Sequence, residues 1–341
     1  MRLFLYGISA FSYWLGVYAR PSAAYAVGSG ALVSCEPTRK SIDYLTRVLP
    51  LIPPPAHVLV SKKMKSPVPD AVAHATHFSL KGKPFLRVAD GIFAACPELC
   101  FVQLARDLPF HELVKVGSAL CGAFAVDPLS SNGLTRRTPI TTAKRIEAFI
   151  RRNPGIRGAK AARQAVKCLA ENAASPPEAF LWTVMSLPQR YGGYGIPGLE
   201  LNRRITPSKR AQSLAHRKTL VPDIMHAPSR LSIEYDSNSE HLTPEQISRD
   251  ASKRLALEAD GFKVITVTSR QLPDSNEMRG VAEQSCKRIG RRFQIQSKNF
   301  QAQHRRLYAC GWSLRAYQRD NSPEDDLRQK PRRSFCLENN G

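Results

Sequence analysis

The sequence predicts an α/β protein whose second half is a mixed sheet flanked by helices, preceded by a smaller α/β or helical module. Three observations carry this. From residue 174 onward the pattern runs helix, three extended segments, helix, strand, helix. Ser175-Pro176-Pro177-Glu178 and Thr243-Pro244-Glu245-Gln246 both have the form of a capping box with proline at the first helical position. Lys263 to Thr268 is a short β-branched run of the kind that forms a buried strand.

In the first half, the Pro53-Pro54-Pro55 break precedes a strand-like Ala56 to Ser61, and Pro97 to Arg106 and Pro109 to Phe124 read as helices. No catalytic constellation stands out before residue 135, so residues 1–135 are expected to serve as a contact or regulatory module that could meet a protein partner. Gly133 and the pair Arg136 and Arg137 mark a boundary. Residues 136–173 then read as a basic helical connector, suited either to phosphate contacts or to a solvated face.

The domain that follows, residues 174–295, opens on the helix from Ser175 to Leu187. A turn at Gly192, Gly193 and Gly195 leads to extended segments at 201–206, 219–226 and 231–236. The next helix runs from Thr243 to about Asp260, with Ile247, Ala251 and Leu255 recurring along one face and Gly261 placed to end it. Asn276 to Phe293 is the last helix of the domain. Residues 296–341 form a basic tail, expected to be partly disordered, above all from Asp320 onward.

Composition narrows the partner. The chain has 341 residues, 43% of them hydrophobic, with 50 Lys plus Arg against 28 Asp plus Glu and a formal charge of +22. At about 150 residues per domain this suggests two domains. The basic excess is clustered: residues 201–220 hold six basic residues and no acid, and 287–319 hold nine and none. A polyanion is the expected partner, nucleic acid before an anionic membrane surface. No P-loop motif occurs, and no segment supplies about 20 consecutive apolar residues for a membrane span.

Eight cysteines at irregular spacings do not make a secreted disulfide scaffold, and a reducing cytoplasm fits them best. Cys96, Cys100 and Cys121 read as core thiols rather than zinc ligands. Met1 to Ala19 has the length of a secretory leader, but Tyr6, Gly7, Tyr13 and Trp14 make it less uniformly apolar than one.

The chemistry concentrates in 221–236. If 221–226 and 231–236 form a hairpin closed by Ala227-Pro228-Ser229-Arg230, His226 faces Leu231, and counting back sets Asp223 opposite Glu234. Their β-carbons would then lie about 5 Å apart, with Asp236 on the same face. Like charges so placed need something positive between them, and a divalent cation is an economical answer. Hard oxygen ligands suit Mg²⁺ or Mn²⁺, which take one or two carboxylates, waters and a substrate phosphate. With a basic surface, this means metal-assisted attack of water on a phosphodiester. The alternative is that these acids make ordinary salt bridges with the many arginines.

Pro222-Asp223, the Glu234-Tyr235-Asp236 strand and His241 resemble the core of the P-D-(D/E)-x-K, or restriction-endonuclease-like, nuclease superfamily, in its very-short-patch-repair-like branch. Arg249-Asp250, Lys253, Leu257, Gly261 and Val264 are similar to the branch's helix-then-strand pattern. Ser175 to Glu178 is similar to the start of its first helix. The likeness covers about residues 174–292. The N-terminal half, beginning Tyr6-Gly7-Ile8-Ser9-Ala10, resembles the leading region of bacterial proteins that join an abortive-infection-antitoxin-like part to such a domain.

The resemblance implies that Asp223 and Glu234 hold the metal, that Glu178 completes the site and that His241 stands beside the attacking water. An imidazole with a pKa of about 6.5 suits that role. Each has a plainer reading: Glu178 closes its capping box, His241 is a loop residue, and Asp250 and Lys253 decorate an exposed helix. The superfamily usually has Lys two residues after the strand Glu, where this chain has Asp236. The branch commonly has an acid there, and Lys253 is the candidate for a displaced positive charge. The expected function is Mg²⁺-dependent endonuclease action on DNA, with a bacterial defence setting implied by the resemblance alone. The alternative is a non-catalytic DNA-binding regulator, such as an antitoxin-like repressor on a degenerate nuclease fold.

Overall fold

The computed structural model describes residues 2–62, 67–75, 79–130, 133–237 and 244–314. The chain is α/β with mixed sheets. In the first half, β1 (Leu3–Leu5) and α1 (Gly7–Leu15) are followed by α2 (Arg39–Val48), β2 (Ala56–Val60), β3 (Ala71–Ala75), β4 (Phe85–Ala89) and β5 (Ile92–Ala95). These strands form one sheet in the order β3-β2-β1-β5-β4, mixed in direction. The leader-like stretch is therefore core. β1 is the central strand, and Leu3, Phe4, Leu5, Phe11 and Trp14 are fully buried, with Trp14 Nε1 donating to the carbonyl of Ala95 at 2.8 Å.

Next come α3 (Pro97–Leu104) and α4 (Phe110–Leu120), then the hairpin of β6 (Phe124–Val126) and β7 (Leu134–Arg136). Cys96, Cys100 and Cys121 are buried free thiols, as expected of core cysteines. The predicted helical stretch 141–173 is broken. α5 (Ala143–Arg152) ends at Asn153, and α6 (Ala159–Ala165) starts after Gly158, whose φ of 90° and approach to the Val102 carbonyl leave no room for a side chain.

The second half holds α7 (Pro176–Ser186), β8 (Glu200–Leu201), α8 (Lys209–Ala215), β9 (Ile224–His226), β10 (Leu231–Asp236), α9 (Pro244–Ala259), β11 (Lys263–Thr268) and α10 (Ser275–Arg288). Its sheet runs β11-β10-β9-β8, with β10 parallel to β11 and antiparallel to β9. The extended segment expected at 201–206 is shorter: β8 stops at Leu201, and only Ile205 bridges further, to Leu220. Within the 296–341 tail, α11 (Phe300–Cys310) buries Phe300, His304 and Leu307, and residues 315–341 lie outside the described ones. One contiguous apolar core takes in residues from Leu3 to Leu314.

A second, smaller cluster sets the position of α9. Ala211 and Ala215 of α8, Leu220, Ala256 and Leu257 of α9 and Val264 of β11 pack together. The expected apolar stripe is overturned: Ile247 and Leu255 are more than half exposed and Ala251 is exposed too. Small residues on α8 and α9 allow close approach of the two helices, and that contact orients α9. Lys253, three and four residues before Ala256 and Leu257, consequently shares the inward face. Gly261 ends α9 as expected, with a φ of 78°. The Phe262 N–H donates to the Leu257 carbonyl and the Gly261 N–H to that of Glu258, which is a Schellman closure.

Candidate functional site

The hairpin register is the predicted one. His226 pairs with Leu231, Met225 with Ser232 and Ile224 with Ile233. Asp223 is the next residue outward from this ladder, and its Oδ2 accepts the Tyr235 N–H at 2.8 Å, tying its carboxylate to the strand that carries Glu234. Along β10, Leu231 and Ile233 enter the main core, while the alternate positions Ser232, Glu234 and Asp236 face the other side.

What lies between the two carboxylates is Lys253. Its Nζ donates to Asp223 Oδ1 at 3.1 Å and to Glu234 Oε2 at 2.5 Å. A positive charge was required there, and the protein supplies one from α9. The three side chains are largely enclosed, with 27% of Lys253 exposed against 19% of Asp223 and 15% of Glu234. Ser232 donates its hydroxyl to the other oxygen of Glu234.

Burial pushes the Glu234 carboxyl up to about 7, assisted by the charge of Asp223 and opposed by Lys253. Burial alone would depress Lys253, but the two carboxylates outweigh it and hold its pKa above the ordinary value. The ammonium therefore stays charged while Glu234 titrates near neutrality.

Glu178 joins from the start of α7. Ser175 caps that helix by accepting from the Glu178 N–H, as the sequence predicted. The Glu178 carboxylate accepts from the Ala174 N–H at 3.0 Å, the Ser175 hydroxyl at 3.1 Å and the Asn202 amide at 3.0 Å. Burial and then the charge of Asp223 raise its pKa, so it is within electrostatic reach of the pair. Asn202, which the sequence did not single out, also donates its backbone N–H to the Asp223 carbonyl and its side chain to the Asn172 carbonyl.

Glu178, Asp223 and Lys253 open into one cleft of about 1410 Å³, which Asp250 also lines. Arg136, Arg204, Arg217, Lys218 and Arg249 line it as well and are exposed; among the described residues, none of these five pairs with a carboxylate. Asp236 ends β10 opposite Thr268, and it is not among the residues lining the cleft. His241 lies outside the described residues.

Oδ1 of Asp223 and Oε2 of Glu234, from different strand segments, converge on the Lys253 Nζ, so a cation held by these two oxygens would take the place of that ammonium. Such a pair of hard donors suits Mg²⁺, which keeps waters and needs only one or two carboxylates. Among the described residues, no three His, Cys, Asp or Glu side chains converge on one point as a ready-made metal cage. Among them, no helix is long and apolar enough to cross a membrane.

No family model, curated protein or solved structure matches the chain.

Proposed function

We propose that the cleft binds DNA and hydrolyses a phosphodiester bond with Mg²⁺ or Mn²⁺, on a domain of the restriction-endonuclease-like, very-short-patch-repair-like kind. The observation that carries this reading is the meeting of Asp223, Glu234 and Lys253 at a cleft that Asp223 and Lys253 line, though Glu234 does not, and that is rimmed by cations with no carboxylate partner among the described residues. Asp223 and Glu234 would hold the cation, which when bound polarises the phosphoryl oxygen and lowers the pKa of its water. Water would add to phosphorus as one bridging P–O bond breaks, the proton that the water loses balancing the one that the departing oxygen takes up. Lys253 is the protein's own source of positive charge at the reacting phosphate, in place of the lysine that the superfamily usually carries where this chain has Asp236. Glu178, held by Asn202, adds negative charge beside Asp223 that favours a cation. By the resemblance alone, His241 is proposed as the group that serves the attacking water; it lies outside the described residues. The rim cations Arg204, Arg217, Lys218 and Arg249 bind backbone phosphates without regard to sequence.

A second reading has its own observation. Lys253 Nζ donates to both carboxylates, which leaves the two acids satisfied with no metal ion, as a regulator that binds DNA without cutting it would have them. Incubation of plasmid DNA with the protein separates the two. Nicking or linearisation with Mg²⁺ and none with chelator supports the nuclease, whereas retarded but uncut DNA in both supports the regulator.

A further inference from the structure

We infer that the N-terminal half supplies part of the DNA-binding wall of this cleft, with Arg136 on the β6–β7 hairpin gripping a backbone phosphate. The inference rests on the cleft's being the DNA site and gives a role to the β6–β7 hairpin, which spans the end of the 1–135 contact module and reaches Arg136, the first residue of the basic connector.

Three observations carry it. Arg136 lines the same cleft as Asp223 and Lys253, is exposed, and has no carboxylate partner among the described residues. The segment that leads into the hairpin is hydrogen-bonded to residues 172 and 173 beside the site. The Ala123 N–H donates to the Ala173 carbonyl and the Asn172 N–H to the Cys121 carbonyl. Asn172 in turn accepts from Asn202, the residue that holds Glu178. Main-chain and amide hydrogen bonds thus run from the hairpin to the acids.

The third observation is Arg137. It is buried, and its guanidinium donates to the carbonyls of Trp14 at 2.5 Å, Val17 at 3.0 Å and Ala119 at 2.8 Å. Burial lowers its pKa to about 10, yet among the described residues no carboxylate pairs with it. Its neighbour's position is consequently fixed by the core of the N-terminal half. A strand end anchored by its neighbour, presenting an exposed arginine with no carboxylate partner among the described residues, suits phosphate contact, since the backbone there is ordered before binding.

The full chain and its Arg136→Gln, Arg217→Gln and Arg47→Gln variants would be titrated against one labelled DNA duplex from 50 to 300 mM salt. Arg47 is exposed on α2 and does not line the cleft, so it controls for net charge alone. Arg136→Gln is expected to weaken binding about five-fold or more, to reduce the salt slope by about one, and to act alike on unrelated sequences. Arg47→Gln should behave as wild type. If Arg217→Gln weakens binding while Arg136→Gln matches Arg47→Gln, the N-terminal wall is wrong and the cleft reading stands. If the wild type binds no DNA at 50 mM salt, both fall.

Discussion

The Nζ of Lys253 stands 3.1 Å from Oδ1 of Asp223, thirty positions earlier in the chain, joining α9 to the end of the hairpin. Replacing this lysine by methionine keeps its length and removes its charge. Lys253→Met should cost about 3 kcal/mol of stability at pH 8, because two buried carboxylates lose their counter-charge. The cost should shrink at pH 5, where Glu234, with its pKa raised to about 7, is already neutral. On the proposed function, cleavage should fall at least about 100-fold. Urea midpoints at the two pH values and a cleavage rate check this.

Glu234 makes the native state lose stability as pH rises. Its carboxyl sits near 7 when folded against 4.5 for the free side chain, so between those values the folded protein binds more protons than the unfolded one. Stability should fall by on the order of 3 kcal/mol from about pH 4.5 to 7. Glu234→Gln should remove most of that slope. An unchanged slope in the variant would mean that some other group titrates.

Asn202 is a positioning residue for Glu178, and its backbone is left-handed, with φ of 49°. Asn202→Gly keeps the backbone free and removes the amide, at a cost of about 1 kcal/mol. Asn202→Ala should cost about 1 kcal/mol more, the strain of a methyl at positive φ. Both should shift the pH dependence of any cleavage upward, since Glu178 loses a donor that favours its charged form. A purely structural role would lower stability and leave the pH profile in place.

Much of the site's scaffold was legible from the sequence. A four-residue loop between two alternating runs fixed the register from His226 and Leu231 outward, because a slip of one residue would turn Leu231 and Ile233 away from the core. Ser175 and Gly261 announced the ends of two helices through local hydrogen bonding, which depends on few neighbours. The face of α9 was not legible. Ile247, Ala251 and Leu255 form the cleaner apolar pattern, yet the alanines of α8 choose Ala256 and Leu257, a fact of tertiary packing. Asn202 was invisible for the same reason: its partners Asn172, Glu178 and Asp223 are distant in sequence and met only through the fold.

That reversal of α9 is itself testable. Ile247→Lys should change stability by no more than about 0.5 kcal/mol, as an exposed substitution. Leu257→Ala should cost about 2–4 kcal/mol by opening the small cluster that seats α9. Thermal melts of the two variants compare them directly, and equal losses would restore the stripe to the core.

On the proposed function, Asp223 and Glu234 serve metal-dependent chemistry on DNA. The direct measurement incubates wild type and the Asp223→Ala, Glu234→Ala double variant with labelled single-stranded, duplex and mismatched DNA, each with Mg²⁺, with Mn²⁺ and with chelator. Cleavage is expected from the wild type alone, only with metal, while both proteins still bind through the rim. Binding by both proteins with no cut strand under any condition would contradict it.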